Sequence, residues 1–130
     1  MAGGPEFLVN RSLGRFDVAR MLRNRGHVAR TLFDVYGARE QEMPDTDFLR
    51  DAGDNNWLVL TGDKSMRRRP LERVAILETG AKVFALSSNQ LRSHDQVARI
   101  EQHLDRIVRC HHRAGPLFYV LYPSTMELRR

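Results

Sequence analysis

Asp63 stands where an apolar run, Trp57, Leu58, Val59 and Leu60, has given way to the small residues Thr61 and Gly62, and it opens a basic stretch carrying Lys64, Arg67, Arg68 and Arg69. A carboxylate at a strand's end with cations at its side marks a candidate site. The apolar run ahead of it reads as a buried strand. In an open parallel sheet, ligands bind in the crevice outside the carboxyl ends of the strands, so Asp63 is expected at that rim. A plainer role for the same carboxylate is to cap the turn it opens, and for the arginines to form a solvated face.

Other chemistries find little support. There is no glycine-rich phosphate loop. Ser12, Ser87 and Ser88 lack a nucleophile elbow and a histidine partner, which argues against serine hydrolysis. Cys110, His111 and His112 end an amphipathic stretch where cations favour the helix dipole, and no second ligand pair has zinc-finger spacing. His94 and His103 read as helix-surface residues, and Glu40 and Glu42 as surface charges.

The chain has 130 residues, 42% of them hydrophobic, enough for one core. Residues 1–6 (MAGGPE) form a patternless tail or cloning remnant, and 7–130 read as a single domain. Twenty-one Lys plus Arg against sixteen Asp plus Glu give a net charge of +5, which favours a polyanionic partner. Cys110 is the only cysteine, so no internal disulfide forms and a reducing compartment is the default. No stretch approaches the ~18 apolar residues of a membrane span and the first residues lack a signal-peptide core, so a cytoplasmic protein with no membrane partner is expected.

The elements that must position Asp63 can be read in order. Phe7, Leu8 and Val9 form a strand ending at Asn10, and Arg11, Ser12, Leu13 and Gly14 turn the chain. A helix is expected from Arg15, with Val18, Met21 and Leu22 inward, Arg20, Arg23 and Arg25 outward, and Gly26 as its stop. Residues 27–32 read as a weaker strand near an edge, and 33–44 as a loop with at most one helical turn. Asp45, Thr46 and Asp47 open a short helix through Phe48, Leu49 and Ala52 that ends at Gly53, its acids at the positive end.

After the strand at 57–61, Pro70 suits a first helical position, Leu71, Val74, Ala75 and Leu77 supply an apolar stripe, and Gly80 is a natural stop. A buried strand at 83–86 exits through Ser87, Ser88 and Asn89. Ser93 with Gln96 fits a capping box opening a long helix striped by Val97, Ile100, Leu104, Ile107 and Val108. Gly115 and Pro116 break it before a last strand from Leu117 to Leu121. Strands of buried type alternating with helices predict an α/β fold with a mostly parallel sheet.

Several stretches in register carry a resemblance: FLVNRSLGR from Phe7, DVYG at 34–37, DTDFL at 45–49, WLVLTGDKSMRRRP at 57–70, the LSSNQL loop and the GPLFYV strand. Together they resemble the PIN-like nuclease family, especially small bacterial members similar to VapC-type toxins, from Phe7 to about Tyr122. The resemblance implies a three-layer fold with a central sheet flanked by helices. Such domains place an acid at a helix start, then a hydrophobic strand, then Thr-x-Asp, and Asp45 and Asp63 fit that arrangement.

The resemblance further implies metal-dependent endoribonuclease action by the toxin of a toxin–antitoxin pair, with RNA and a cognate antitoxin as partners and a homodimer as the assembly. Its metal, Mg²⁺ or Mn²⁺, would be held by Asp34, Asp45 and Asp63, with Asn10 as a weakened fourth member of the catalytic set. Unit charges ~4 Å apart repel by roughly 4 kcal/mol at an effective dielectric near 20, so converging carboxylates require a cation or a proton. A hard divalent ion takes oxygen ligands and activates water. Lys64, Arg67, Arg68, Arg69 and Arg11 would hold the RNA backbone, with Asp47 as the rival of Asp45 and Tyr36 as a base-stacking candidate.

Asn10 departs from the family pattern, which calls for Asp at the end of the first strand. An amide oxygen ligates a metal but brings no net charge and accepts no proton as a carboxylate does. Weak ion binding and slow cleavage are therefore expected, whether the residue was changed to silence a toxic nuclease or the copy has decayed. The rival reading is a non-catalytic RNA-binding or antitoxin-binding module on a degenerate fold. A receiver-like phosphotransferase is disfavoured because no paired acids follow the first strand.

Overall fold

Apolar side chains alternate between two faces along every central strand, and both faces must then be covered. Phe7, Val9, Leu58, Leu60, Phe84, Leu86, Leu117, Tyr119 and Leu121 line one face. Leu8, Val59, Val83, Ala85, Phe118 and Val120 line the other. The computed structural model describes residues 4–14 and 16–129. The first three residues of the tail and the helix start expected at Arg15 lie outside the described residues.

The strands are β1 (Glu6–Val9), β2 (Val28–Thr31), β3 (Leu58–Thr61), β4 (Lys82–Leu86), β5 (Leu117–Leu121) and β6 (Met126–Leu128), in the sheet order β2-β1-β3-β4-β5-β6. Every pairing is parallel except β5 with β6. The helices are α1 (Asp17–Asn24), α2 (Leu32–Tyr36), α3 (Asp45–Asn55), α4 (Pro70–Thr79) and α5 (Ser93–Arg109). α1 and α5 pack on the first face, α3 and α4 on the second. This is the α/β fold with a mostly parallel sheet expected from the alternation of elements, in the three layers that the resemblance implies. Among the described residues, no helix is long and apolar enough to cross a membrane.

Several local expectations are corrected. Helix α3 does not stop at Gly53 but runs through it to Asn55, and Asn56 ends it in the left-handed conformation at φ 57°. Gly53 is there for contact: a Cβ on it would lie 2.0 Å from Thr79 Oγ1 on α4. The stretch 33–44 is ordered as α2 followed by a 3₁₀ run over Gly37–Glu42, and Glu40 is buried rather than a surface charge. On α4 the stripe is turned: Ala75 and Ile76 face the core while Leu71, Val74 and Leu77 are 71%, 43% and 52% exposed. An apolar count cannot choose between two apolar helix faces, whereas close packing against α3 admits the smaller one.

The capping box expected at Ser93 does not form. Arg92 precedes the helix without a side-chain cap, and the Gln96 amide donates to the Ser12 carbonyl at 3.5 Å instead. His103 is buried with Nε2 2.7 Å from the Tyr122 carbonyl oxygen. Nor is β5 the last strand: β6 returns antiparallel to it, too short to leave a periodic signal.

Candidate active site

β1 and β3 are neighbours, and the chain leaves them in opposite lateral directions, to β2 and to β4. The crevice at the carboxyl ends of such a pair is where open α/β sheets take ligands. Asn10 follows β1 and Gly62 and Asp63 follow β3, so both sit at this point. Asn10 is buried, its Nδ2 donating to Thr61 Oγ1 at 3.0 Å and its Oδ1 accepting the Ser12 N–H at 3.4 Å. Ser12 Oγ accepts the Gly62 N–H at 2.9 Å, and the Asp63 N–H donates to Thr61 Oγ1 at 3.1 Å. These bonds lock the two strand tips together.

The acids gather around one arginine. Asp63 Oδ1 accepts the Ser65 N–H at 2.9 Å, capping the 3₁₀ turn Lys64–Arg68, and its Oδ2 accepts from Arg69 Nη2 at 2.7 Å. The same nitrogen donates to Asp45 Oδ2 at 3.1 Å, and Arg69 Nε donates to Glu72 Oε2 at 2.6 Å. Arg11 Nη1 lies 3.7 Å from Asp45 Oδ1, while its Nη2 donates to the Glu40 and Met43 carbonyls. Asp63 thus both caps its turn and faces the pocket, so its plainer reading and its functional one coexist. Burial raises the carboxyl of Asp45 above the usual carboxylate range against the pull of Arg69 and Arg11, and Glu72 and Asp63 push the same way. Glu72 and Asp63 in turn raise the Arg69 guanidinium.

Glu72 was missed from the sequence. Its signal was an acid in the first turn of a Pro-started helix, three residues after Arg69, the spacing at which side chains on a helix end meet.

The remaining expected residues are placed elsewhere. Asp34 is in the first turn of α2, where its Oδ2 accepts the Thr31 N–H at 2.9 Å and the Arg23 Nη2 at 2.7 Å, in a capping box with Thr31. Burial alone would raise its carboxyl, but the bonds to Thr31 and the charge of Arg23 outweigh burial and lower it. Tyr36 donates its hydroxyl to Asp51 at 2.5 Å and packs partly buried on the second core. Asp47 is exposed beside Asp45. Of the basic set, Arg11 and Arg69 turn inward as counter-ions, whereas Lys64 and Arg68 are exposed. Arg67 is lowered by burial and by the crowding of Arg68, Arg129 and Arg73. That crowding is a local excess of positive charge that a polyanion would relieve.

Whether these residues fit a divalent ion is answered by the donor set. Among the described residues, no three His, Cys, Asp or Glu side chains are grouped so that they could hold a metal ion. The Oδ2 atoms of Asp45 and Asp63 are committed to one guanidinium nitrogen. Asp34 is turned to α1 and its own cap rather than to a shared cluster. As arranged, the residues fit a guanidinium and not Mg²⁺ or Mn²⁺. Beside the acids, residues 62–65 face 87–90 across a polar cleft of about 240 Å³.

The sequence matches a family model described as PIN like domain over residues 5–88, and the chain belongs to that family. The matched span holds Asn10, Asp45, Asp63, Arg69 and Glu72. A curated protein of Mycobacterium tuberculosis (strain ATCC 25618 / H37Rv), named "Putative ribonuclease VapC45", is 30% identical over 117 residues, covering 89% of this chain and 85% of the relative. No solved structure matches the chain.

Two predictions arise from these placements. Asp34→Ala removes the carboxylate half of the capping box on α2 and the pair with Arg23, while Thr31 still caps the helix, and is expected to lower stability by about 1 kcal/mol in urea unfolding. For Asp45, the folded state holds the carboxyl proton more tightly than the unfolded chain, whose ordinary value is 3.8. Its contribution to stability is therefore greatest below that value and declines as pH rises through the higher folded-state value. Urea unfolding of Asp45→Asn across about pH 3 to 6 is expected to lack that declining component.

Proposed function

We propose that the chain is a PIN-type ribonuclease, the toxin of a toxin–antitoxin pair, acting in the cytoplasm on RNA at the crevice between the tips of β1 and β3. The observation that carries this reading is the convergence of Asp45 and Asp63 at the switch point of the sheet, beside the basic turn Lys64–Arg68. The name of the mycobacterial relative supports the same activity.

In this reading Lys64, Arg67 and Arg68 hold the phosphate backbone, as charge-assisted contacts that carry no base preference. Asp45 and Asp63 are the groups placed to accept a proton from an attacking water, and Arg69 and Arg11 balance the acids. Dependence on Mg²⁺ or Mn²⁺ belongs to the reading as an expectation of family membership. Asn10 leaves the pocket one negative charge short and cleavage slow. A cognate antitoxin and a homodimer complete the proposal, and the exposed Leu71, Val74 and Leu77 on α4 support a protein partner.

The alternative, an RNA-binding module without cleavage, is favoured by one observation: the acids of the pocket are already paired with Arg69, and Asn10 adds no charge to them. Incubation with structured RNA, with and without Mn²⁺, separates the two. The nuclease reading expects cleavage that quickens in Asn10→Asp. Retention of RNA with no cleavage by Asn10→Asp at any Mn²⁺ concentration selects the binding module.

A further inference from the structure

Two helix starts meet at the acids: Asp45 is the first residue of α3, Glu72 lies in the first turn of α4, and Arg69 immediately precedes Pro70. The proline holds Arg69 in an extended backbone, φ −76° and ψ 129°, so its side chain departs from a fixed point. Glu72 then grips Nε at 2.6 Å, and the far end of the fork reaches two acids on different elements, at 2.7 Å and 3.1 Å. Three carboxylates from three parts of the chain converge on this one side chain.

We propose that Arg69 is a tethered cation that fills the acidic pocket and keeps divalent ions out, so that the pocket takes an ion only after Arg69 turns away. This deepens the ribonuclease reading of the same pocket and rests on it for its meaning, but its readout is ion binding. The exclusion is steric as well as electrostatic. A Mg²⁺ ion needs carboxylate oxygens at ~2.0–2.1 Å in near-octahedral array. The Asp45 and Asp63 oxygens that face one another are instead bridged by a single nitrogen, and the same lone pairs cannot serve both.

Charge points the same way. Asp45, Asp63 and Glu72 stand against Arg69 and Arg11, which leaves the pocket only weakly negative. Asn10 adds nothing to the attraction. A guanidinium is permanently charged and presents a planar fork of donors, so no change of pH in the working range releases it. A competing anion, the phosphate of a bound RNA, is the chemistry that would draw it out.

The test is calorimetric titration of Mn²⁺ into the full chain and into Arg69→Gln. The substitution is expected to tighten Mn²⁺ binding roughly 10- to 100-fold, the scale on which groups flanking a metal site act. Equal affinities in the two proteins overturn the proposal. A second measurement uses the unaltered protein: the Arg69 Nε–H resonance, followed by NMR during a Mg²⁺ titration, is expected to be lost in step with ion binding. Ion binding that leaves this resonance in place overturns the proposal even if Arg69→Gln does not fold. Tighter ion binding without RNA cleavage leaves Arg69's role standing and removes the ribonuclease reading. Cleavage with unchanged ion affinity in Arg69→Gln does the reverse.

Discussion

Asp63→Asn is expected to lower RNA cleavage at least ~100-fold, in the chain as it stands and in the Asn10→Asp background, because a positioned proton acceptor contributes on that scale. The substitution is close to isosteric. Its Oδ1 still accepts the Ser65 N–H that caps the 3₁₀ turn, so the loop between β3 and α4 keeps its path. What is lost is the anionic Oδ2 that faces Arg69, and an amide nitrogen in its place sets donor against donor. Stability by urea unfolding should change by about 1 kcal/mol or less, as for a half-exposed polar replacement that keeps its local bond. RNA retention in a gel shift should persist, because Lys64, Arg67 and Arg68 are untouched. If Asp63→Asn cleaves as fast as its parent, the chemistry does not reside at this strand tip.

Gly53→Ala is expected to destabilise the fold by about 2–3 kcal/mol, the cost of forcing a methyl into a closed interface. Helix propensity alone predicts the opposite sign, a gain of roughly 0.8–1 kcal/mol from replacing a mid-helix glycine. The added Cβ would lie 2.0 Å from Thr79 Oγ1, 2.4 Å from Thr79 Cβ and 3.2 Å from the Thr79 carbonyl oxygen. None of these is the far end of a flexible side chain, so α3 and α4 must separate. That displacement would reach Asp45 at the start of α3 and Glu72 near the start of α4, so loss of the Arg69 contacts should accompany the loss of stability. Trimming Thr79 to Ala leaves the Cβ contact and gives little rescue. Urea unfolding decides the matter: a midpoint at or above that of the parent would show the interface to be looser than these distances.

The two cases differ in what a reader of the sequence could see. Asp45 and Asp63 were legible because each marks an element boundary: one opens an amphipathic helix, the other follows a buried strand through small residues. Asp34 was legible too, and the structure shows it in a local role. Thr31 and Asp34 have the spacing of a capping box, and the carboxylate closes its own helix and binds Arg23. Tyr36 is similar, an aromatic whose hydroxyl is claimed by Asp51 on α3. Glu72 passed unnoticed because its place beside Asp45 and Asp63 depends on how the start of α4 meets the start of α3.

By itself the sequence determined the alternation of strands and helices, the parallel sheet buried on both faces, and the placing of Asn10 and Asp63 each at the end of a strand. Those follow from periodicity and from turn and cap residues, which act over a few positions of chain. Tertiary structure alone decided which carboxylates share a cation, which helix faces α3 and α4 turn to one another, and that β6 pairs with β5. Each of these depends on contact between segments distant in the chain, where the direction of a side chain is set by the partner it meets: Arg69 turns inward because Asp45, Asp63 and Glu72 together set three carboxylates within reach of its guanidinium.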